Sequence, residues 1–398
     1  MGNQEVINEG QQYLMNNYAR FPIALVKGDG VRAWDADGKE YLDFTSGIAV
    51  CGVGHSNTAL KEVLENQAGR LWHCSNLYWI EPQVQLAAEL CRLSGLDKAF
   101  FANSGAEVNE AALKLVRKYF SLRGKPGCEI VAFHNSFHGR TLGALTATGQ
   151  EKYHRGFEPL VPGFVYAEFN DLGSVEKVIT EKTGAIIVEP VQGEGGINPA
   201  TSKFLTGLRR LCYEFDLLLV LDEVQTGLGR TGKMFAYEHY GIKPDIVTLA
   251  KSLGGGFPIG AMLARAEVAQ AFEPGDHAST FGGNPLGCAV ANRVLDILSE
   301  EEMLNHITRI GDYLKSRLQS MTGKRKDVKE VRGLGLLLGV EFTREVKPLV
   351  DICMQKGLLV ISAGPRVLRL VPPLNIALDE ADQGLAILNE ALNEWQDE

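Results

Sequence analysis

The sequence predicts an α/β protein whose main sheet is largely parallel. Several short aliphatic segments are apolar throughout, which is typical of strands covered on both faces. These segments are KAFFAN (98–103), EIVAFH (129–134), AIIVEP (185–190), LLLVLD (217–222), DIVTLA (245–250) and IGAMLA (259–264). Helical patterns lie between them, for example at 106–120 and 202–215. This alternation favours a parallel sheet with helices on both sides, where ligands bind beyond the carboxyl ends of the strands.

Both ends of the chain have a different pattern. Residues 22–45 contain short strand-like runs and the turn signals KGDG and DADGK, which predict an antiparallel meander. From about residue 300, a long polar helix, three apolar runs and a last helix predict a smaller α+β unit. We therefore expect residues 1–48 to pack with the small domain, residues 49–295 to form the large domain and residues 296–398 to form the small domain.

The composition is that of an ordinary globular protein. The 398 residues carry a net charge of −9, which argues against nucleic acid or an anionic membrane as a partner. No apolar run is long enough to span a bilayer, and the first residues lack the apolar core of a signal peptide. The seven scattered cysteines favour reduced thiols in the cytoplasm. No H-E-x-x-H or comparable spacing occurs, so we expect no metal site.

The segment LLLVLDEVQTGLGRTGKM contains a glycine loop, residues 227–234, that spells G-x-G-x-x-G. A dinucleotide-binding loop follows its strand directly, whereas DEVQT intervenes here. Acids at the strand end repel phosphate, and Met234 stands where a P-loop needs serine or threonine. We therefore interpret the glycines as a tight turn, which disfavours a nucleotide-dependent dehydrogenase.

An acid and an amine follow two of the predicted strands. Asp222 ends LLLVLD, and Lys251 follows DIVTLA directly before a run of three glycines. If these strands end together, both groups face one crevice. A lysine there forms a Schiff base when its pKa falls below the usual value of about 10.4. An acid there holds a heterocyclic nitrogen protonated, so that the ring becomes an electron sink. The alternatives are a structural salt bridge for Asp222 and a surface position for Lys251.

A separate anion site is predicted at FFANSGAEVNEAALKLV. Ser104 and Gly105 lie between a strand end and a strong helical pattern. The free amides of Gly105 and Ala106 at the helix start attract an anion. Ser104 is also a suitable helix cap, and the two roles are compatible.

Together these segments resemble the class III pyridoxal-phosphate aminotransferases, in particular the ornithine and acetylornithine branch. The resemblance covers nearly the whole chain, and LVLDEVQTGLGRTGKMFAYEHYGIKPDIVTLAKSLGGGFPIGAM is its most specific segment. LWHCSNLYWIEPQVQLAAEL and STFGGNPLGCAVA are similar to the acetylornithine members. The resemblance implies the fold-type I architecture of PLP-dependent transferases, with a large domain, a smaller α+β domain and a homodimer whose active site lies at the subunit interface.

The resemblance also implies pyridoxal 5'-phosphate (PLP) as the cofactor. Lys251 corresponds to the lysine that binds the cofactor covalently and later carries the proton, and Asp222 to the partner of the pyridinium nitrogen. The other implied contacts are Gln225 with the ring hydroxyl, Gly105 and Ala106 with the phosphate, Phe137 stacked on the ring, Thr280 with the phosphate of the neighbouring subunit, and Ser279 beside the substrate. A core aromatic is the alternative for Phe137.

Two arginines and one acid are implied in substrate recognition. Arg140 corresponds to the clamp for the α-carboxylate of an acylated amino acid, and Arg369 to the arginine that takes the α-carboxylate of glutamate. Glu194 corresponds to a switch acid, which pairs with Arg369 when an ω-amine is bound and moves away for glutamate. A planar guanidinium suits a bidentate grip on a carboxylate. Surface salt bridges are the alternative for both arginines.

The implied reaction moves the δ-amino group of N2-acetylornithine to 2-oxoglutarate in arginine biosynthesis, giving N-acetylglutamate 5-semialdehyde and glutamate. Ile48 stands where ornithine-specific members have a tyrosine, which favours an acylated donor. Ser56-Asn57 replaces the usual histidine and proline, and Ala106 replaces a common threonine.

Other donors remain open, namely succinylornithine, 4-aminobutyrate and a carrier-linked lysine precursor. An aminomutase is disfavoured because it has no second amino acceptor to require the Arg369–Glu194 pair. A non-catalytic protein of this fold is disfavoured because Lys251 and Asp222 are both present.

Overall fold

The computed structural model describes residues 1–395. The strands, in chain order, are β1 (Leu25–Asp29), β2 (Arg32–Asp35), β3 (Glu40–Asp43), β4 (Lys98–Ala102), β5 (Glu129–Phe133), β6 (Phe164–Ala167), β7 (Thr183–Val188), β8 (Val191–Gln192), β9 (Asn198–Pro199), β10 (Leu218–Asp222), β11 (Ile246–Leu249), β12 (Gly260–Ala264), β13 (Val328–Leu334), β14 (Leu337–Phe342), β15 (Leu358–Leu359), β16 (Ile361–Ser362) and β17 (Val367–Leu370). The α-helices are α1 (Asn3–Tyr13), α2 (Ser46–Ala49), α3 (Thr58–Ala68), α4 (Glu81–Ser94), α5 (Gly105–Leu122), α6 (Leu142–Ala147), α7 (Glu151–His154), α8 (Leu172–Val178), α9 (Ser202–Glu214), α10 (Ala266–Ala269), α11 (Pro285–Leu298), α12 (Glu301–Thr322), α13 (Lys347–Gln355) and α14 (Leu378–Glu394).

A seven-stranded sheet with the order β4-β12-β11-β10-β7-β5-β6 forms the centre of the fold. Strands β11, β10, β7, β5 and β6 pair in parallel, whereas β12 runs antiparallel to both of its neighbours. All six strands predicted from aliphatic segments lie in this sheet, which confirms the mainly parallel α/β prediction. The seventh strand, β6, was not predicted; it is an edge strand that is only partly buried.

Helices cover both faces of this sheet. Successive side chains of a strand point to opposite faces. On β10, Leu218 and Val220 belong to the core cluster that includes α5, whereas Leu219 and Leu221 pack into the cluster that includes Phe204 of α9. These four side chains are each at most 3 % exposed, so both faces of β10 are buried from solvent. The continuous apolar pattern of the segment follows from this double burial.

The two ends of the chain form separate small sheets. Strands β1, β2 and β3 make the predicted antiparallel meander. Strand β15 extends this sheet by pairing in parallel with β3, so the N-terminal meander is hydrogen-bonded to the C-terminal part of the chain. The remaining C-terminal strands form a four-stranded sheet with the order β13-β14-β17-β16. The predicted long helix near residue 300 and the last helix correspond to α12 and α14.

Several large apolar side chains lie exposed near the loop that contains Phe281. We use the name exposed apolar cluster for five of these residues, namely Trp72, Leu77, Tyr78, Trp79 and Phe281. The segment that begins at Trp72 is in contact with the loop of Phe281, because the ring centroid of His73 lies 5.4 Å from that of Phe281. Single exposed apolar residues are ordinary, but contiguous ones in a folded chain indicate a contact surface.

All seven cysteines are free thiols. Within residues 1–395, no helix is both long and apolar enough to cross a membrane.

Candidate active site

A cavity of about 420 Å³ lies beyond the carboxyl ends of β10 and β11. The two strands pair in parallel with Asp222 opposite Thr248, so Asp222 and Lys251 reach the same edge of the sheet. The residues predicted from the sequence that line this cavity are Gly105, Ala106, Phe137, Arg140, Glu194, Asp222, Gln225 and Lys251. Arg369 joins them through its contact with Glu194.

The carboxylate of Asp222 is buried and held by three donors. It accepts hydrogen bonds from Asn109 Nδ2 at 2.8 Å, from His138 Nδ1 at 2.7 Å and from the amide of Val224 at 3.0 Å. Asn109 is oriented in turn, because its Oδ1 accepts a hydrogen bond of 2.7 Å from the Thr248 hydroxyl. A carboxylate fixed in this way suits a cationic ring nitrogen. Its donors make Asp222 part of a network rather than one half of a simple salt bridge.

His138 is the main site residue that was not predicted from the sequence. Burial disfavours the charged imidazole, but the Asp222 carboxylate outweighs burial and raises the pKa of His138 above its usual value. Its buried Nε2 has no hydrogen-bond partner in residues 1–395. No local signal reveals the pair, because 84 residues separate His138 from Asp222. Only the adjacent Phe137 points to this position.

Glu189, another cavity residue without a predicted role, is also deeply buried. Burial raises the pKa of Glu189 to about 7. Its carboxylate accepts hydrogen bonds from the amides of Phe137 at 2.9 Å and Gly193 at 3.3 Å. Glu189 therefore fixes the backbone at Phe137, on the wall of the cavity.

Lys251 lies at the cavity in a strained backbone conformation. Its φ of +43° is in the left-handed region that side chains other than glycine rarely adopt. Burial lowers the pKa of Lys251 to about 8, although the nearby Glu194 carboxylate opposes this shift. An appreciable fraction of such a lysine is free amine near neutral pH, as a nucleophilic lysine requires. Lys251 is therefore not an ordinary surface lysine.

The N-terminus of α5 provides an anion site in the wall of the cavity. The Ser104 hydroxyl caps the helix by accepting a hydrogen bond of 3.3 Å from the amide of Glu107. Gly105 and Ala106 follow in the first turn, where amides have no partner within the helix. A Cβ atom on Gly105 would lie 2.7 Å from Val224 Cγ1, so a side chain does not fit there. The helix start thus combines positive partial charge with close access to the cavity.

Arg369 and Glu194 form an ion pair beside Lys251. Arg369 Nη1 donates to Glu194 Oε1 at 2.5 Å, and Nη2 donates to Glu194 Oε2 at 3.2 Å. Nη1 also lies 3.3 Å from Gln225 Oε1. Burial raises the pKa of Glu194, but the Arg369 charge outweighs this and lowers it overall. The Arg369 side chain is 2 % exposed whereas the Glu194 side chain is 23 % exposed, so the acid is the accessible partner of this pair.

Arg140 is an exposed cation at the rim of the cavity. Its guanidinium carbon lies 4.0 Å from the ring centroid of Tyr153 and 5.6 Å from that of Phe137. Stacking of this kind orients a guanidinium and leaves its N–H fork open for a carboxylate. Phe137 and Tyr153 are themselves packed edge to face, with centroids 5.8 Å apart.

Ser279 and Thr280, which were predicted as site residues, lie outside this cavity, as does Ile48, which bears on the choice of donor. The Ser279 hydroxyl accepts hydrogen bonds from Asn103 Nδ2 at 3.3 Å and from the amide of Gly282 at 2.9 Å. Thr280 is exposed next to the exposed apolar cluster. Ile48 is 45 % exposed and lines a groove formed with the N-terminal segment.

Together, a fixed buried carboxylate, a lysine of lowered pKa and a helix N-terminus define a site for a phosphorylated aromatic carbonyl compound. An aminotransferase class-III family model matches residues 13–392. An acetylornithine aminotransferase from Caldanaerobacter subterraneus subsp. tengcongensis is 51 % identical over 98 % of this chain and 99 % of its own length.

Solved structures of aminotransferases are similar over the whole fold. The crystal structure of N-acetylornithine aminotransferase from Stenotrophomonas maltophilia K279a is 40 % identical, with a TM-score of 0.85, and the alignment covers 98 % of this chain and 99 % of that one. The ornithine aminotransferase from Toxoplasma gondii ME49 is 33 % identical, with a TM-score of 0.96 over 100 % of this chain and 96 % of that one. The chain belongs to the class-III aminotransferases. This confirms the resemblance inferred from the sequence.

The enzyme is therefore a PLP-dependent aminotransferase that acts on an amino acid and a keto acid. The residues of the cavity fit PLP on their own chemistry. The helix N-terminus at Gly105 suits the phosphate, Asp222 suits the ring nitrogen, and the amine of Lys251 suits the carbonyl carbon. His138, whose buried Nε2 is unpartnered within residues 1–395, is also one of the residues that line this cavity.

Proposed function

We propose that this enzyme transfers the δ-amino group of N2-acetylornithine to 2-oxoglutarate in arginine biosynthesis. The products are N-acetylglutamate 5-semialdehyde and glutamate. The observation that carries the proposal is the Arg369–Glu194 pair beside Lys251, because a site for both an ω-amine and glutamate needs a cation that can be covered or uncovered. The name of the Caldanaerobacter relative supports the choice of donor.

The cofactor-binding residues have distinct tasks in this proposal. Gly105 and Ala106 would bind the phosphate, Asp222 would keep the ring nitrogen protonated, and Gln225 would contact the ring hydroxyl. Phe137 would cover the ring. When bound, PLP supplies a carbonyl carbon for the substrate amine and a ring that accepts electron density.

Lys251 moves the proton. Its free amine would hold the cofactor at the carbonyl carbon and would become available as an acid–base group once a substrate amine takes its place. Lys251 Nζ would then be the base that removes a proton from the δ-carbon of the donor and, in the second half-reaction, the acid that delivers one to the α-carbon derived from 2-oxoglutarate. A positioned acid–base group typically accelerates such a step by about 10²–10⁴-fold. The pKa of about 8 suits both directions near neutral pH.

The two arginines divide the carboxylates between them. Arg140 binds the α-carboxylate of N2-acetylornithine at the rim, which leaves the δ-amine directed towards Lys251. Glu194 covers Arg369 during this half-reaction. For 2-oxoglutarate or glutamate, Glu194 moves away and Arg369 takes the α-carboxylate in a bidentate contact. Ile48 lines the groove at the N-terminal segment and precedes the cavity residue Val50 by two residues. Its side chain provides no hydroxyl for a free α-amino group, which favours the acylated donor over ornithine.

We also propose that the enzyme is a cytoplasmic homodimer with its active site at the subunit interface. The exposed apolar cluster supports this arrangement, because it adjoins Thr280 and lies outside the cavity of its own chain. In the dimer, Thr280 reaches the phosphate bound by the other subunit and Ser279 lies near the substrate.

We further propose that residues 1–48 pack with a small domain of residues 296–398, and that residues 49–295 form the large domain. The pairing of β3 with β15 supports this division, because it joins the N-terminal segment to the C-terminal part of the chain.

A donor panel tests the proposed reaction. The kcat/KM of the PLP-loaded enzyme is measured with 2-oxoglutarate as acceptor and with N2-acetylornithine, N2-succinylornithine, ornithine or 4-aminobutyrate as donor. We expect the highest value for N2-acetylornithine and a shift towards ornithine in Ile48→Tyr. The control is Leu378→Tyr, which introduces the same side chain at an exposed position at the start of α14. A tenfold higher value for any other donor would overturn the assignment.

A further inference from the structure

Arg230, in the glycine loop, is a fully buried cation. It is 0 % exposed, and burial lowers its pKa to about 9. Its hydrogen-bond acceptors within residues 1–395 are two backbone carbonyls, whereas Nε and Nη2 have no partner there. Burying an arginine without a carboxylate is unfavourable. The position of Arg230 therefore needs a reason other than the strength of an ion pair.

The two carbonyls lie at the end of the strand pair that carries Arg369. Arg230 Nη1 donates to the carbonyl of Leu336 at 3.0 Å and to that of Pro372 at 2.6 Å. Strands β14 and β17 pair with Leu338 opposite Leu370, and Leu336 and Pro372 continue the same antiparallel register. Arg230 thus links the two strands just beyond their last paired residues. Pro372 follows Arg369 by only three residues.

The backbone of the glycine loop is docked at the same point. The amide of Leu336 donates to the carbonyl of Arg230 at 3.0 Å. Gly335 has a φ of +54°, and a Cβ atom there would lie 2.5 Å from the carbonyl carbon of Thr231. The loop and the β13–β14 turn therefore touch backbone to backbone.

The other end of this segment lies in the active site. Gln225, five residues before Arg230, lines the cavity and contacts both Arg369 and Glu194. One short segment therefore touches the Arg369 side chain at one end and fixes the backbone that carries Arg369 at the other. The glycines serve the backbone of this loop, because Gly229 and Gly232 have φ values of +84° and +89°, which side chains other than glycine rarely adopt.

We propose that Arg230 is a positioning residue for substrate recognition, which holds the β14–β17 strand pair so that Arg369 meets the carboxylate of the dicarboxylate substrate. The proposal rests on the proposed function in assigning that carboxylate to Arg369. The new element is that the glycine loop, through Arg230, contributes to substrate specificity. Arg230 itself is fully buried and does not line the active-site cavity.

The test compares Arg230→Met and Arg230→Gln with the wild-type holoenzyme. The first readout is the Kd of glutarate by calorimetry, because glutarate has two carboxylates and no amino or keto group. The second is the KM for the acceptor, 2-oxoglutarate, set against the KM for N2-acetylornithine, with thermal unfolding recorded for each protein. Arg209→Met is the matched control, since Arg209 is a buried arginine that pairs with Asp245, at the opposite, amino-terminal end of β11.

We expect Arg230→Met to weaken glutarate binding by about tenfold to a hundredfold, because displacing a binding group by about 1 Å has effects of this size. The KM for the acceptor should rise by a similar factor and the KM for the amine donor much less. Arg230→Gln, which keeps an N–H donor, should lie between wild type and Arg230→Met. If Arg230→Met does not fold, weaker glutarate binding by Arg230→Gln supports the proposal.

Glutarate affinity equal to that of the wild type in the folded variants would overturn the proposal. Equal losses for donor and acceptor, or a loss matched by Arg209→Met, would also overturn it. The proposed function fails separately, when the wild-type enzyme binds glutarate but does not turn over N2-acetylornithine. In that case the glutarate comparison still decides the role of Arg230.

Discussion

Replacing Glu194 by glutamine uncovers Arg369 and should shift the enzyme towards glutamate. The structure gives Arg369 two charge-assisted hydrogen bonds to Glu194, at 2.5 Å and 3.2 Å. A hydrogen bond to a charged group contributes about 1.5–3 kcal/mol. Because the Glu194 side chain is 23 % exposed, we take this range for the pair as a whole rather than for each bond. A carboxylate that competes with Glu194 for Arg369 must overcome this interaction.

The expected change follows from that competition. About 1.5–3 kcal/mol corresponds to roughly 10- to 100-fold in an equilibrium constant. In Glu194→Gln, the preference for glutamate over N2-acetylornithine should rise by about this factor. Glutamate binds Arg369 without competition from Glu194, whereas the amine donor meets an Arg369 charge that is no longer paired. The assay is stopped-flow measurement of the two half-reactions, followed by the visible absorption of the cofactor. Exposed Glu176 on α8 provides the control, Glu176→Gln. A preference within twofold of the wild type, or a shift towards the amine donor, would refute the reasoning.

Three further predictions concern the same cavity. The rate at which the apoenzyme takes up PLP should rise with pH, with a midpoint near 8. The reason is that the pKa of Lys251 is lowered to about 8, and the free amine predominates only above this pH. A rate that is still rising past a pH of about 10, the ordinary pKa of lysine, would contradict this. Arg140→Ala should raise the KM for N2-acetylornithine by about 10- to 100-fold, because the carboxylate loses its bidentate partner. Arg140→Lys should raise this KM by less, because lysine keeps the charge but lacks the bidentate fork. Initial-rate measurements that give the same KM for both variants would contradict the assigned contact. His138→Leu should weaken PLP binding by about 10- to 100-fold, because Asp222 loses the donor His138 Nδ1 and a hydrogen bond to a charged group contributes about 1.5–3 kcal/mol. An unchanged Kd in equilibrium dialysis would refute this role.

The strands of the central sheet could be predicted because each is buried on two sides. Burial on both faces makes a strand apolar throughout, as in β7 and β10, and this signal is local in the sequence. The edge strand β6 escaped prediction because partial exposure weakens that signal. The pairing of β3 with β15 also could not be read from the sequence, since roughly 300 residues separate Leu42 from Leu358 and loop closure over such a distance has no local signature.

The site was predictable in so far as its residues follow strand ends. Asp222 and Lys251 each follow an apolar strand, and the parallel register of β10 and β11 brings them to one edge. His138, Asn109 and Arg230 act through contacts across long stretches of chain, and single-sequence patterns carry no information about such contacts. The glycine loop shows the same limit: its sequence argued against a nucleotide site, but only the structure reveals the backbone contacts at Gly335.

The most direct test of the account is the visible absorption spectrum of the purified enzyme with PLP, before and after N2-acetylornithine is added without an acceptor. We expect the visible band of the bound cofactor to disappear with N2-acetylornithine and to return when 2-oxoglutarate is added. Lys251→Ala, which lacks the amine, should show neither the original band nor the cycle. A wild-type band that persists in N2-acetylornithine would contradict the assigned donor, and an unchanged band and cycle in Lys251→Ala would contradict the assigned role of the lysine.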